Sequence, residues 1–256
     1  MRRIRAVAHV HSEWSYDGSW PLEKILQAFR ARGYQAVLMA EHDRGFDQER
    51  WRAYRKECER LSGVDCVVVP GIEYSDPANV VHVPVWGDLP FIAGGVETSE
   101  LLHEVKRGQG TAVLAHPGRR NAHRQVDRGW LKSLGGVEIW NRKYDGWSPS
   151  RPALRLLAEE PRLVPFVGPD FHTAHQFFPL GMTLEVEALT ARGVYDALAA
   201  RRCRPTAFRI PAELLCTEPL LSGLHTVETA RGYAAPRVRA KLDDLRTRTP
   251  AARRDE

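Results

Sequence analysis

The chain has 256 residues, 43% of them hydrophobic and 27% charged. That composition supplies one sizeable buried core and excludes a disordered chain, a collagen-like fibre and a disulfide-stapled miniprotein. Lys and Arg number 37 against 32 Asp and Glu, a formal charge of +5, a mild basic balance that alone leaves a nucleic-acid partner as the less favoured reading. Cys58, Cys66, Cys203 and Cys216 are scattered without a C-x-x-C pair and are expected to pack as thiols in a reducing cytoplasm. No apolar run nears the roughly 18 residues of a membrane span, and the basic N-terminus is not followed by the apolar segment of a signal peptide, so no membrane role is expected.

In chain order the strand-like runs are Ile4–His9, Ala36–Ala40, Cys66–Ile72, Thr111–Ala115, Val137–Trp140, Leu163–Val167 and Met182–Val186, with an extra run at Val80–Val85. Between them lie apolar residues at helical spacing: Leu22, Ile25, Leu26 and Phe29, then Leu101, Leu102 and Val105, then Leu154, Leu156 and Leu157. Strands alternating with helices predict a parallel sheet covered by helices. Seven such units suit an α/β barrel or near-barrel better than an open sheet. The expected domain is residues 1–210. Residues 211–256 read as a C-terminal extension with a helix from about Thr226 to Arg246, broken at Gly232 and Pro236, and a frayed end.

The ten histidines are informative by position. His9 and His11 close the first strand as His-x-His, a spacing that sends both imidazoles to one side. Asp17 follows in a loop. His42 closes the second strand, Glu73 the third and His116 the fourth. His82 sits on the extra run, Glu138 in the fifth strand, and Asp170 with His172 after the sixth. In a barrel of parallel strands these ends converge on one face, where such enzymes place their chemistry. His9, His11, Asp17, His42, Glu73, His82, His116, Asp170 and His172 are too many ligands for one ion and suit two to three divalent metals with mixed nitrogen and oxygen ligation, as Mn, Zn or Fe accept. Three carboxylates against three divalent ions leave about +3, a field that binds an anion and stabilises charge on phosphoryl oxygens. Clustered metals also lower the pKa of a bridging water. Phosphate-ester hydrolysis by a metal-bridging hydroxide is the expected chemistry.

His-Val-His-Ser with Ser-Tyr-Asp-Gly, then Glu-His-Asp, Gly-Ile-Glu, Ala-His-Pro-Gly, Val-Glu-Ile-Trp-Asn and Gly-Pro-Asp-Phe-His-Thr, in this order, resemble the motifs of the polymerase-and-histidinol-phosphatase (PHP) family. The resemblance runs from about Ala6 to Ala207 and includes Tyr195–Arg204, which is similar to the family's final barrel helix. It implies a distorted seven-stranded β/α barrel with a trinuclear metal site. By position, it implies that His9, His11, Glu73 and Asp170 hold the first ion. Glu73 would bridge to a second, held by His82 and His116, while Asp17, His42 and His172 surround a third. Val7 and Glu41 stand where the family often or usually has Asp, a change expected to act on the surroundings of the ligands rather than on the ligands.

The family resemblance leaves the substrate open. A small phosphomonoester, either a metabolite or a nucleotide, is the favoured reading. A 3'-5' exonuclease or other nuclease acting on nucleic-acid ends is one alternative, and a non-phosphate hydrolase on the same metals is another. Asp170 and Glu73 are the expected catalytic carboxylates and His175 a candidate proton donor to the leaving group. Arg119, Arg142 and Arg44, near strand ends, are the candidate phosphate clamps, with Lys143 beside them. Trp14, Trp140 and Trp147 are candidates for stacking on a base. The oligomeric state stays open.

Overall fold

The computed structural model describes residues 1–248, with side chains through residue 235. The strands are β1 (Arg2–Val10), β2 (Ala36–Met39), β3 (Glu41–His42), β4 (Val67–Val69), β5 (Ile72–Ser75), β6 (His82–Trp86), β7 (Thr111–Leu114), β8 (Gly136–Asn141), β9 (Val164–Gly168), β10 (Leu180–Val186), β11 (Cys203–Ala207) and β12 (Ile210–Pro211). The helices are α1 (Leu22–Arg30), α2 (Gln48–Leu61), α3 (Thr98–Arg107), α4 (Arg128–Ser133), α5 (Arg151–Glu159), α6 (Ala191–Ala199) and α7 (Leu220–Arg248).

One sheet runs β12-β11-β10-β1-β2-β4 and the other β3-β5-β6-β7-β8-β9. The chain passes from the first to the second within single staves, at Ala40 between β2 and β3 and at Pro70–Gly71 between β4 and β5. At the far edge, Phe171 just beyond β9 donates its N–H to His9 O at 3.1 Å and accepts from His11 N at 2.8 Å. The expected α/β barrel is therefore a distorted ring of seven staves: β1, β2/β3, β4/β5, β6, β7, β8 and β9. The distortion has a local cause. Residues 2–6 of β1 pair with β10, so β9 reaches only the last residues of β1.

Several expectations are corrected. β10, taken as a parallel stave, is antiparallel to β1, and the extra run became β6, antiparallel to both neighbours. The third expected strand breaks into β4 and β5. The segment Tyr195–Arg204 is helical only to Ala199, after which β11 begins. Its alternation of buried Cys203, Pro205 and Ala207 with exposed Arg204 is that of a strand with one face on the core, which Pro205 disguised. In the extension, α7 starts at Leu220 and continues through positions 232 and 236 without the expected break. The expected frayed end falls at 249–256, outside the described residues. The four cysteines are free thiols, three of them buried, and burial pushes Cys66 up to about 11 and Cys203 to about 12.

Two irregularities aim side chains at one end of the ring. Between β1 and β2 the register slips at His9, which sits at φ +63°; between β8 and β9 it slips between Glu138 and Trp140. Such bulges re-aim a strand's side chains at the expense of local pairing. Gly168 makes room for both. A Cβ there would come within 2.7 Å of Ala8 O, 2.8 Å of His9 Cβ and 2.9 Å of Glu138 Oε1. Gly168→Ala is therefore expected to lower stability by about 1–3 kcal/mol, read by urea unfolding; an unchanged midpoint would show that the two bulges have slack.

Candidate metal centre

The expected ligands come from separate staves and meet at one end. His9 and His11 leave the end of β1, His42 the end of β3, Glu73 the middle of β5, His116 follows β7, and Asp170 and His172 follow β9. His82 opens β6 rather than closing it; because β6 runs antiparallel, its first residue reaches the same face. All of these are buried, and Asp17 is about one-third exposed at the mouth. The backbone is held in the left-handed region at His9, His116 (φ +27°) and Asp170 (φ +50°), a conformation that costs free energy and persists where the surrounding structure enforces it.

Glu73 is the hub. Its Oε1 lies 3.2 Å from His9 Nε2, 3.2 Å from His82 Nδ1 and 3.1 Å from His116 Nε2. Its Oε2 lies 3.2 Å from His42 Nδ1 and 3.7 Å from His11 Nε2. Asp170 faces it, with Oδ1 3.5 Å from His11 Nε2 and 3.3 Å from His172 Nδ1, and Oδ2 3.8 Å from His116 Nε2. Asp17 joins His42 Nε2 at 3.3 Å to His172 Nε2 at 3.1 Å.

The donor set fits divalent cations. The ligand atoms of His9, His11 and Asp170, of His9, Glu73 and His116, and of His11, His42 and His172 form three groups, each within 4.8 Å. The Nε2 atoms of His9 and His11 are buried without a directed hydrogen bond, an arrangement that suits lone pairs awaiting a cation. Other residues set the rings so that these atoms face inward. Nδ1–H of His9 donates to Glu138 Oε1 at 3.0 Å, and Nδ1–H of His172 donates to the Asp170 carbonyl at 2.9 Å. His82 is turned the other way, its Nε2–H donating to Asn79 Oδ1 at 2.6 Å. Glu41 touches no inward-facing ring atom. It accepts from the Ser12 and Ser15 hydroxyls at 2.5 Å each, and Ser15 Oγ in turn lies 3.4 Å from His11 Nδ1.

The electrostatics follow from burial working against proximity. Burial alone would raise Glu73, but His9, His82 and the other imidazoles hold it well below the usual carboxylate range. Burial would likewise raise Asp170, which His9, His11 and Lys143 hold low. Burial would lower His9, yet Glu138, Asp170 and Glu73 raise it well above the ordinary histidine value. Burial would also lower His42, which Asp17 and Glu73 lift to about 10. Burial and the neighbouring His42 and His172 push His11 down.

Lys143 reaches into the cluster, its Nζ 3.4 Å from Asp170 Oδ1 and 3.2 Å from His172 Nε2. Arg119 lies at the rim, donating to the Asn79 carbonyl at 2.9 Å. Arg44 is exposed, its guanidinium 5.5 Å from the Tyr16 ring, which stacks on His42. Arg142 does not face the cluster: its guanidinium lies over Phe178 at 5.1 Å. His175 is exposed on the short turn Ala174–Gln176 and makes none of these contacts. Trp140 is wholly buried, and Trp14 packs on Phe46 and Tyr54. The sequence reading gave no role to Tyr16 and Asn141, although both lie inside quoted motifs, and passed over Tyr144 (4.6 Å from the His116 ring) and Asn79. Only proximity in sequence to the motifs could have flagged the last two.

No protein-family model and no curated protein matches the sequence. Among solved structures, the chain is similar to a two-domain protein containing a predicted PHP-like metal-dependent phosphoesterase from Bacteroides vulgatus (17% identity, TM-score 0.61, 80% of this chain and 65% of that one). It is also similar to PsfC from Pseudomonas syringae (16%, TM-score 0.62, 81% and 92%) and to the lesion-specific endonuclease PfuEndoQ from Pyrococcus furiosus (13%, TM-score 0.54, 78% and 56%). The chain thus spans about two thirds of the Bacteroides protein and a little over half of the endonuclease.

Two outcomes are expected. In the metal-free protein the carboxylates around His42 hold its ring protonated at neutral pH and those around His9 favour its protonated form, and such protons must leave before the rings can ligate. Loading Zn or Mn at pH 7.5 should therefore release protons, seen as a titration enthalpy that changes with the ionisation enthalpy of the buffer; no buffer dependence would contradict the raised His42. Asn79→Ala, which frees the His82 ring, should weaken metal affinity about 10- to 100-fold while leaving the fold intact by circular dichroism. At these identities the likeness to solved structures establishes the fold, and that fold is the one found in the PHP-like phosphoesterases whose motifs the sequence resembles.

Proposed function

We propose that the chain is a metal-dependent phosphoester hydrolase whose site lies within residues 1–210 and whose substrate is a small phosphomonoester. The observation that carries this reading is six buried imidazoles around Glu73 and Asp170, with the Lys143 ammonium beside them. In this reading two or three divalent ions (Mn, Zn or Fe) are held by His9, His11, His42, His82, His116, His172, Glu73, Asp170 and Asp17. When bound, they would acidify a water and draw charge from phosphoryl oxygens.

The remaining steps belong to the chain's own groups. Lys143 stays charged, because the nearby Asp170 outweighs the effect of burial, so it acts as a cation for a phosphoryl oxygen rather than as a base. Arg119, already anchored on Asn79, and Arg44 at the opposite rim are the next cations a substrate phosphate or its leaving group would meet.

A nucleic-acid substrate is the second reading. It is supported by the +5 charge and by the likeness to endonuclease Q, whose structure is known with a 27-mer duplex bearing an abasic lesion at the active site. A single panel separates the two readings: phosphate monoesters, bisphosphonucleotides, and single- and double-stranded oligonucleotides, each offered to manganese-loaded protein. Monoester turnover is expected, lost by about a thousandfold or more in Asp170→Ala and on chelation. Cleavage of oligonucleotides alone would transfer the reading to a nuclease. Turnover of no phosphoester by fully metal-loaded protein would remove both.

A further inference from the structure

The loop from Asn141 to Trp147 has two sides. Towards the cluster, the Asn141 amide donates to Glu138 Oε2 at 2.8 Å and Asp170 Oδ2 at 3.3 Å, Lys143 meets Asp170 and His172, and Tyr144 packs on His116. Inside the loop, Asn141 Oδ1 accepts from Lys143 N at 3.0 Å and Tyr144 N at 3.1 Å, and Asp145 Oδ2 accepts from Asn141 N at 2.8 Å. These bonds tie residues 141, 143, 144 and 145 of the turn to one another.

Helix α7 grips that outer end. Glu228 Oε2 accepts the backbone N–H of Trp147 at 2.9 Å and is held from its own helix by Arg231 Nε at 2.7 Å. The Arg231 guanidinium lies 5.8 Å from the Trp147 ring. Gly146, at φ +68°, permits the approach: a Cβ there would stand 2.2 Å from Glu228 Oε1. From the core side, Trp140 Nε1–H donates to Gly146 O at 3.1 Å. The base of α7 is tied down separately, by Arg151 to Glu218 at 3.0 Å and to Ser222 Oγ at 3.0 Å.

The geometry points to Glu228 as a positioning residue: a carboxylate on the C-terminal helix that clamps the 141–147 turn and thereby sets where the Lys143 ammonium stands for a substrate phosphate. The inference rests on the hydrolase reading for the role of Lys143, but the clamp itself does not. Residues beyond the barrel, far from the cluster in sequence, are on this account part of its phosphate-binding apparatus.

The test uses the full-length, metal-loaded chain with Glu228→Ala and Glu228→Gln, the latter keeping an acceptor for Trp147 N. Three quantities are read: amide hydrogen exchange of the peptide spanning 141–148, affinity for inorganic phosphate, and KM and kcat on the best ester of the panel. The alanine variant should exchange faster in that peptide, bind phosphate about tenfold more weakly and raise KM by a similar factor, as expected when one charge-assisted hydrogen bond is lost. Metal content and kcat should stay near wild type, and the glutamine variant should recover most of the loss. If the alanine variant does not fold, Gly146→Ala, which drives the carboxylate off the loop, should reproduce its pattern. Unchanged exchange overturns the clamp. Faster exchange with unchanged phosphate affinity and KM overturns the positioning role. Phosphate that binds neither wild type nor variant removes the hydrolase reading of the site and the positioning role with it, while the exchange result still decides the clamp.

Discussion

A carboxylate buried at the centre of five imidazoles governs this end of the molecule. Glu73 is wholly enclosed, and a buried charge is tolerated only where partners replace the water it has lost. The staves around it are arranged to bring those partners. β3 and β5 are offset continuations of β2 and β4, β6 runs backwards so that His82 enters from its start, and His9, His116 and Asp170 are held with left-handed backbone. The conformational strain at those three positions is offset by the rest of the barrel, whose core includes fully buried Trp86 bonded through Nε1–H to Met39 O at 2.7 Å.

Outside this centre lies a layer that fixes how each ring is turned. Glu138, Asn79 and the Asp170 carbonyl each take one ring N–H and leave the other nitrogen facing inward. Glu41 works one step further out, through the Ser12 and Ser15 hydroxyls. There it holds the 12–15 loop. Beyond that layer the 141–147 turn and α7 form a third, joined through Glu228.

The rim has a different character from the centre. Tyr16 with Arg44 stands on the His42 side, while Tyr144 with Arg119 and Lys143 stands on the His116 side. These residues belong to connecting segments, the parts of a barrel that vary most freely and that choose substrates. In the proposed readings, a monoester and a nucleic-acid end would present the same phosphate to the centre and differ in what they ask of this rim.

Much of the site was legible along the chain because strand ends in a barrel converge, so seven ligand-type residues at the ends of apolar runs, with Asp17 in a loop and His82 on the extra run, already suggest one cluster. Parity was not legible. Arg142 was expected at the site because it lies near a strand end, but the register slips between Glu138 and Trp140, and Asn141 and Lys143 reach Asp170 while the Arg142 guanidinium lies over Phe178. Strand direction was hidden as well, since a run of apolar residues reads the same forwards and backwards, and only pairing with β1 shows β10 to be antiparallel. The sequence by itself determined which residues are chemically able to hold cations and roughly where the strands lie, because those follow from side-chain type and local periodicity. The tertiary structure decided which ring nitrogen faces inward, which cation reaches Asp170 and that the distant Glu228 grips the 141–147 turn. Those depend on bulges, on register and on contacts between segments as much as 81 residues apart, which local pattern does not encode.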